Sequence, residues 1–116
     1  MINQKIKYII WDWNGTLIDD AWLFVDIMNE ELEARELPRI NIQDYRQYFT
    51  FPVKKYYERL GFNFKKESFK EVGYHFIQKF KKRKFEAQLF QKTIEILECA
   101  HKRNIGQSIV SAQEHQ

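Results

Sequence analysis

The chain has 116 residues, of which 44% are hydrophobic and 16% aromatic, so it can form one ordinary domain or two small ones around a packed core. The formal net charge of +3 is too small to indicate nucleic acid or anionic lipid as a partner, and no apolar run resembles a membrane span or a signal peptide. Cys99 is the single cysteine, which excludes an intramolecular disulfide and favours a reducing, cytoplasmic location.

The first predicted element is a strand over residues 6–12. Its nearly continuous apolar run is typical of a parallel strand that is buried on both faces. Gly15 permits a turn after this strand, and Asp19 or Asp20 can cap the helix that follows. Pro38 is expected to end that helix.

Residues 20–84 contain only helical patterns. Residues 41–60 predict one or two short helices, which are interrupted near Pro52 and closed by Gly61. Ser68 begins a capping-box motif, and a further helix is expected after it. The segment therefore predicts an all-helical module.

The last elements are a helix over 91–103 and a second strand over 105–110, which leads to Ser111. The order of strand, helical insert, helix and strand predicts an α/β core that is interrupted by the helical module. The predicted division is 1–19 with 85–116 for the partial core, and 20–84 for the insert.

Two polar residues, Asp12 and Ser111, come directly at the ends of the two predicted strands. Ligands of parallel α/β sheets bind beyond the carboxyl ends of the strands, so these side chains converge if the strands are neighbours. A carboxylate there can attack phosphorus, while a hydroxyl, turn amides and a cation stabilise the phosphoryl charge. Mg²⁺ is the expected cation, because it accepts a few protein oxygens together with phosphate and water.

These residues also resemble a known family. The segment 11–20, which reads WDWNGTLIDD, resembles the first motif of the haloacid dehalogenase (HAD) superfamily in its phosphatase branch, and 109–111 resembles the second motif. The pattern is similar to phosphoglycolate-phosphatase-like and β-phosphoglucomutase-like members, which carry a helical cap after the first motif. The resemblance implies a Rossmann-like HAD core with a parallel sheet, here incomplete, and an inserted helical cap.

The resemblance also implies roles for individual residues. Asp12 would be the nucleophile and an Mg²⁺ ligand, and the backbone carbonyl of Asn14 would be another ligand. Gly15 and Thr16 would shape the flap next to the substrate, and Ser111 would hold a phosphoryl oxygen. The implied activity is Mg²⁺-dependent hydrolysis of a small phosphorylated metabolite through an aspartyl-phosphate, with neither nucleic acid nor membrane as a partner.

One departure from the family pattern is Asn14, because the family usually has an aspartate there. That aspartate protonates the leaving group and then activates water, whereas asparagine does not titrate, so a contribution of about 10²–10⁴-fold is in question. We hypothesise that this variant acts on a better leaving group, or acts slowly on alkyl phosphates.

A second departure concerns the family's third motif, a lysine, and its fourth, an acidic pair. Neither occurs between Ser111 and Gln116. We therefore expect the chain to be an amino-terminal portion of a phosphatase, poorly active alone and prone to self-association because its core is incomplete.

Alternative interpretations remain open. The chain could be a non-catalytic binding or regulatory protein that keeps the front half of the fold, an alternative that Asn14 favours. Nucleic-acid binding through the basic segment 79–84 is disfavoured by the small net charge. Within the enzyme class, a mutase or a dehalogenase would also use Asp12 as the nucleophile. In the simplest interpretation Asp12 and Asn14 are turn residues and Ser111 is a strand-end hydroxyl.

Overall fold

A computed structural model describes residues 6–111 of the chain. The chain divides into two compact units, one formed by Met1–Asp20 with Ala87–Gln116 and the other by Ala21–Glu86. The parts of the predicted core at 1–5 and 112–116 lie outside the described residues. In chain order the elements are β1 (Tyr8–Asp12), β2 (Ile18–Asp19), α1 (Ala21–Ala34), α2 (Ile42–Tyr48), α3 (Val53–Arg59), α4 (Phe69–Arg83), a 3₁₀ turn (Lys84–Glu86), β3 (Gln88–Leu89), α5 (Thr93–Lys102) and β4 (Gly106–Val110).

The first unit contains a parallel pair of strands, β1 and β4, in a register that places Tyr8 opposite Gly106 and Asp12 opposite Val110. The α/β class and the parallel pairing that the sequence predicted are therefore confirmed. The prediction that the first strand is buried on both faces was wrong: the side chains of Tyr8 and Ile10 are 56% and 64% exposed. Among the described residues no element covers that face, because the sheet has two strands and one helix packs against it.

A short antiparallel pair, β2 with β3, completes the strands of this unit. The sequence analysis missed it, because two-residue strands carry no detectable periodicity. Helix α5 lies within the predicted range of 91–103, and Asn104 after it has a φ of 57°, as its left-handed cap requires. Ala100 is buried in this helix, whereas Ile94 is 50% exposed.

The second unit is all-helical, as predicted for the insert. Helix α1 ends at Ala34 rather than at Pro38, because Glu36 adopts a φ of 57° and the Leu37 amide donates to the Leu32 carbonyl at 2.9 Å, which closes the helix. Ser68 caps α4 by accepting the Glu71 amide at 3.1 Å. The core of this unit consists of aliphatic and aromatic side chains from α1, α3, α4 and the segment that follows α3: Met28, Leu32, Tyr56, Tyr57, Leu60, Phe62 and Val72.

Polar contacts within the helical unit join α1 to α4 and to the loops. Arg35 contacts the carboxylates of both Glu31 and Glu67, and Lys79 approaches Glu31 Oε1 to 2.9 Å. The buried Asn29 side chain donates to the Ile40 carbonyl at 2.9 Å and accepts the Ile40 amide at 2.8 Å. Within residues 6–111, no helix is both long enough and apolar enough to cross a membrane.

Candidate functional site

The two strand ends that the sequence predicted to converge are neighbours in the first unit. Asp12 is the last residue of β1 and lies opposite Val110, the last residue of β4. The Trp13 amide donates to the Val110 carbonyl at 3.0 Å, so the pairing continues one residue beyond β1. Ser111 follows directly, and its side chain is exposed at the same edge of the sheet as that of Asp12.

A tight turn follows Asp12, and it is held by one carbonyl oxygen that accepts hydrogen bonds from several backbone amides. The Trp13 carbonyl accepts hydrogen bonds from the amides of Thr16, Leu17 and Ile18 at 3.1–3.3 Å. Gly15 has a φ of 73°, a left-handed conformation that disfavours residues with a Cβ, and its amide donates to the Ile18 carbonyl at 3.1 Å. These hydrogen bonds fix the backbone of the turn next to the end of β1.

Asp12 is exposed, and one of its carboxylate oxygens is held by the turn. The Thr16 hydroxyl donates to Asp12 Oδ2 at 3.0 Å. None of the ion pairs found among residues 6–111 involves Asp12. The other oxygen, Oδ1, is thus the one left for an incoming group.

Asn14 connects the turn to the end of β4. Its Nδ2 donates to Asp20 Oδ2 at 2.6 Å, and its Oδ1 accepts a hydrogen bond from the Ser111 hydroxyl at 3.1 Å. The structure thus brings Asn14 and Ser111, two of the predicted site residues, into direct contact. Asp12 and Thr16 form the second contact pair of the same turn.

Asp20 is the residue of this region that the sequence analysis did not assign to the site. It was expected to be a helix cap, but its Oδ2 accepts from Asn14 and its Oδ1 has no hydrogen-bond donor among the described residues. The side chain is 2% exposed, and burial raises the pKa of its carboxyl group, although the hydrogen bond from Asn14 opposes that shift. The sequence signal for a buried carboxylate is the pair Asp19-Asp20 at the end of β2. Consecutive side chains of a strand point to opposite faces, so one of the two points inward.

A second unassigned residue, Thr93, anchors the turn to α5. The Leu17 carbonyl accepts the Thr93 hydroxyl at 2.8 Å and the Phe90 amide at 3.1 Å. Leu17 and Thr93 are both 2% exposed, so these hydrogen bonds are shielded from water. The residues that follow Asp12 are therefore fixed by the core of the unit.

The oxygen atoms of the turn suit a hard cation only in part. Within residues 6–111, no cluster of three or more histidine, cysteine, aspartate or glutamate side chains could hold a metal ion. Among the described residues, the backbone hydrogen bonds of the turn use the carbonyls of Trp13 and Ile18 and not that of Asn14. An exposed carboxylate on Asp12 and a main-chain carbonyl on Asn14 are two oxygen donors of the kind that Mg²⁺ accepts, with the other positions left for water or phosphate.

Comparison with protein families assigns the chain. The model of the haloacid dehalogenase-like hydrolase family matches residues 9–116, which includes both strands, the turn and the helical unit. The chain belongs to this family. The resemblance that the first and second motifs indicated is thereby confirmed, and the family is one of hydrolases. No curated protein matches the chain.

Solved structures share the fold at low sequence identity. The chain is similar to a predicted phosphoglycolate phosphatase from Haemophilus somnus 129PT (TM-score 0.66, 17% identity, 97% of this chain and 54% of that one) and to a candidate phosphatase from Clostridium difficile (TM-score 0.71, 19% identity, 96% and 51%). It is also similar to a HAD family hydrolase from Deinococcus radiodurans R1, a structure with bound phosphate and sodium (TM-score 0.64, 15% identity, 94% and 48%). The chain thus spans about half the length of the solved structures it matches.

Proposed function

We propose that the chain forms part of a phosphomonoester hydrolase in which Asp12 is the nucleophile. The observation that carries the proposal is an exposed carboxylate at the carboxyl end of β1, with one oxygen bound by Thr16 and the other open. Asp12 Oδ1 would form a bond to phosphorus while the bond from phosphorus to the leaving oxygen breaks. Water would then attack the aspartyl-phosphate, releasing phosphate and the free carboxylate. Membership of a hydrolase family supports this reaction class.

Ser111 and the turn would bind the phosphoryl group. The Ser111 hydroxyl lies at the end of the neighbouring strand, and in the present structure it donates to Asn14. A donor at that position can turn towards a phosphoryl oxygen, where developing negative charge strengthens the hydrogen bond. Gly15 and Thr16 would form the wall of the site beside the substrate, as the family resemblance implied.

We propose Mg²⁺ as the cofactor, held by the Asp12 carboxylate and the Asn14 main-chain carbonyl. The ion, when bound, would offset the negative charge of the phosphoryl group and the nucleophile. Asp12 and Asn14 supply oxygen donors from one short turn, which supports the choice of a hard cation. The remaining ligands would be water, phosphate oxygens or other residues.

Asn14 changes which leaving groups the site can handle, compared with a family member that has an aspartate at this position. The Asn14 amide cannot give up a proton at neutral pH, and its Nδ2 is already engaged with Asp20. We therefore propose a substrate whose leaving oxygen needs little protonation. Aryl phosphates should be hydrolysed more readily than alkyl phosphates.

The substrate class we propose is a small phosphorylated metabolite, with neither nucleic acid nor membrane as a partner. The helical unit Ala21–Glu86 is inserted between the two pieces of the α/β unit, where a cap that selects substrates would enter the chain. A cytoplasmic location remains a prediction from the single cysteine.

The test is hydrolysis of p-nitrophenyl phosphate and of an alkyl phosphate by the protein that carries this chain, with and without Mg²⁺. Asp12→Asn should abolish turnover, and Ser111→Ala should lower kcat by about 10²–10³-fold if its donor acts in the transition state. Asn14→Asp should raise the rate on the alkyl phosphate far more than on the aryl phosphate. Turnover that survives Asp12→Asn would refute the proposal, and an unchanged alkyl rate in Asn14→Asp would refute the account of the leaving group.

The second candidate function is non-catalytic binding or regulation. Asn14 favours it, because this asparagine stands where the family usually has its titratable acid. A protein of this kind would bind phosphate through Ser111 and the turn without forming a covalent bond to Asp12. Retention of phosphate affinity in Asp12→Asn, together with no turnover in the parent protein, would support this candidate.

A further inference from the structure

The buried carboxyl group of Asp20 has no evident stabilising role. A carboxylate that is 2% exposed loses its hydration, and usually needs a cation or several donors to compensate. Asn14 Nδ2, at 2.6 Å from Oδ2, is the side-chain donor to Asp20, while Oδ1 has no partner within hydrogen-bond distance among the residues that the structure describes. The main-chain amides of Gly15 and Asp20 also favour the charged form, but burial outweighs these contributions and raises the pKa of the carboxyl group. The side-chain contact of this costly carboxyl group is with Asn14, which points to a role in orienting the Asn14 amide.

The two ends of the Asn14 amide have different chemistry. The NH₂ group donates only and the carbonyl oxygen accepts only, so the two orientations of the amide are not equivalent. Asp20 Oδ2 accepts a hydrogen bond from Asn14 Nδ2 at 2.6 Å, and this contact selects the orientation in which NH₂ faces Asp20. In that orientation the amide oxygen faces the end of β4, where it accepts the Ser111 hydroxyl at 3.1 Å.

We propose that Asp20 is a positioning residue that fixes the Asn14 amide with its oxygen towards Ser111, and that it thereby sets the direction of the Ser111 hydroxyl. The inference rests on the proposed function, because its consequence concerns the binding of a phosphoryl group. Asp20 touches neither substrate nor metal in this account. It acts through Asn14, over a chain of two hydrogen bonds from a buried group to an exposed one.

The chain Asp20–Asn14–Ser111 has a definite polarity. Asn14 donates to Asp20, and Ser111 donates to Asn14, so every hydrogen of the chain points towards the buried carboxylate. In the proposed reaction an incoming phosphoryl oxygen would draw the Ser111 hydroxyl hydrogen away from Asn14. Without Asp20 the amide could flip, and its NH₂ would then face Ser111, which would reverse this direction.

The structural part of the proposal can be tested without any activity. In ¹⁵N NMR of the parent chain, the Asn14 Nδ2 proton that faces Asp20 should resonate further downfield, and should exchange with solvent more slowly, than the Nδ2 protons of an exposed asparagine such as Asn63. In Asp20→Ala both properties should be lost. In Asp20→Asn they should be partly retained, because the new side chain still offers one oxygen acceptor.

Asp19→Asn is the matched control, because it removes the same charge from the neighbouring residue, and it should leave the Asn14 side-chain signals in place. Asn14 signals in the parent that resemble those of Asn63 would overturn the proposal, even if no variant at position 20 folds. Unchanged Asn14 signals in a folded Asp20→Ala would also overturn it.

The functional part is tested by binding of beryllofluoride in the presence of Mg²⁺ to the same variants. Asp20→Ala should tighten binding by about tenfold, which corresponds to roughly one hydrogen bond, because the Ser111 hydroxyl hydrogen no longer has to leave Asn14, and Asp20→Asn should lie between the parent and Asp20→Ala. If the parent chain binds no beryllofluoride, the proposed function fails while the NMR result still decides the role of Asp20. Equal binding by the parent and Asp20→Ala would refute the link from Asp20 to Ser111.

Discussion

Replacing Asn29 with leucine tests how the helical unit is held together. Asn29 is 5% exposed, and its side chain makes two hydrogen bonds to the backbone of Ile40, which tie α1 to the loop before α2. Leucine is similar in size, so the substitution removes both hydrogen bonds without opening a large cavity. The Ile40 amide and carbonyl groups are then left without these partners.

The cost follows from the burial of Ile40. A buried polar group that loses its partner costs about 1–3 kcal/mol, and the lower end applies here because Ile40 is half-buried and water can reach it in part. Two such groups give a loss of about 2–3 kcal/mol in the free energy of unfolding. In urea, with a slope of about 1–3 kcal/mol per M, the midpoint should fall by roughly 1–3 M.

Equilibrium urea unfolding, followed by circular dichroism, is the assay. Gln47→Leu is the control, because Gln47 is exposed in the neighbouring helix and the same class of change there should shift the free energy of unfolding by less than about 0.5 kcal/mol. An Asn29→Leu variant as stable as the control would refute the reasoning, since the two hydrogen bonds would then contribute nothing.

Three further predictions concern other parts of the chain. Gly61→Ala should lower the stability of the chain in thermal melts by about 1–2 kcal/mol, because φ is 104° at this position and the new Cβ would lie 2.9 Å from Leu37. Gly73→Ala in α4 is the matched control: its new Cβ meets open space, so it should raise the stability by about 0.5–1 kcal/mol. The reverse order of stability would contradict this reasoning. Arg35 holds the pKa of the partly exposed Glu67 below its ordinary 4.5, so the pair stabilises above pH 4.5 and loses that effect as pH falls through the lowered value. The deficit of Glu67→Gln, at most about 1 kcal/mol after solvent screening, should therefore shrink as the pH falls below 4.5 and vanish below the lowered pKa of Glu67, and a constant deficit in urea titrations would exclude this cause. The exposed apolar face of β1 should promote self-association, seen as a concentration-dependent mass in analytical ultracentrifugation, and a constant monomer mass would contradict that expectation.

The elements that the sequence predicted well are those with long periodic patterns or strong local signals. Helix α4 begins after the Ser68 cap, and α5 lies within the predicted range of 91–103. The two parallel strands were also predicted from their apolar runs. These features depend on residues close together in the chain, so a local interpretation is sufficient.

The features that escaped prediction depend on contacts between distant segments. The hydroxyl of Thr93 reaches the Leu17 carbonyl across 76 positions of the chain, and no local pattern indicates such a bond. Asp20 was taken for a cap, because a carboxylate before a helix usually has that role, whereas its hydrogen-bond partner here is Asn14. Which face of a two-residue strand such as β2 is buried depends on its pairing with β3, and a local sequence pattern does not predict that pairing.

The central claim is that the carboxylate of Asp12 bonds covalently to a phosphoryl group. The most direct measurement is ¹⁹F NMR of the protein that carries this chain with beryllofluoride and Mg²⁺, since the beryllium adduct mimics an aspartyl-phosphate. We expect a bound signal that needs Mg²⁺, disappears in Asp12→Asn and remains in Asp19→Asn. A bound signal that persists in Asp12→Asn, or the absence of any Mg²⁺-dependent signal in the parent protein, would contradict the account.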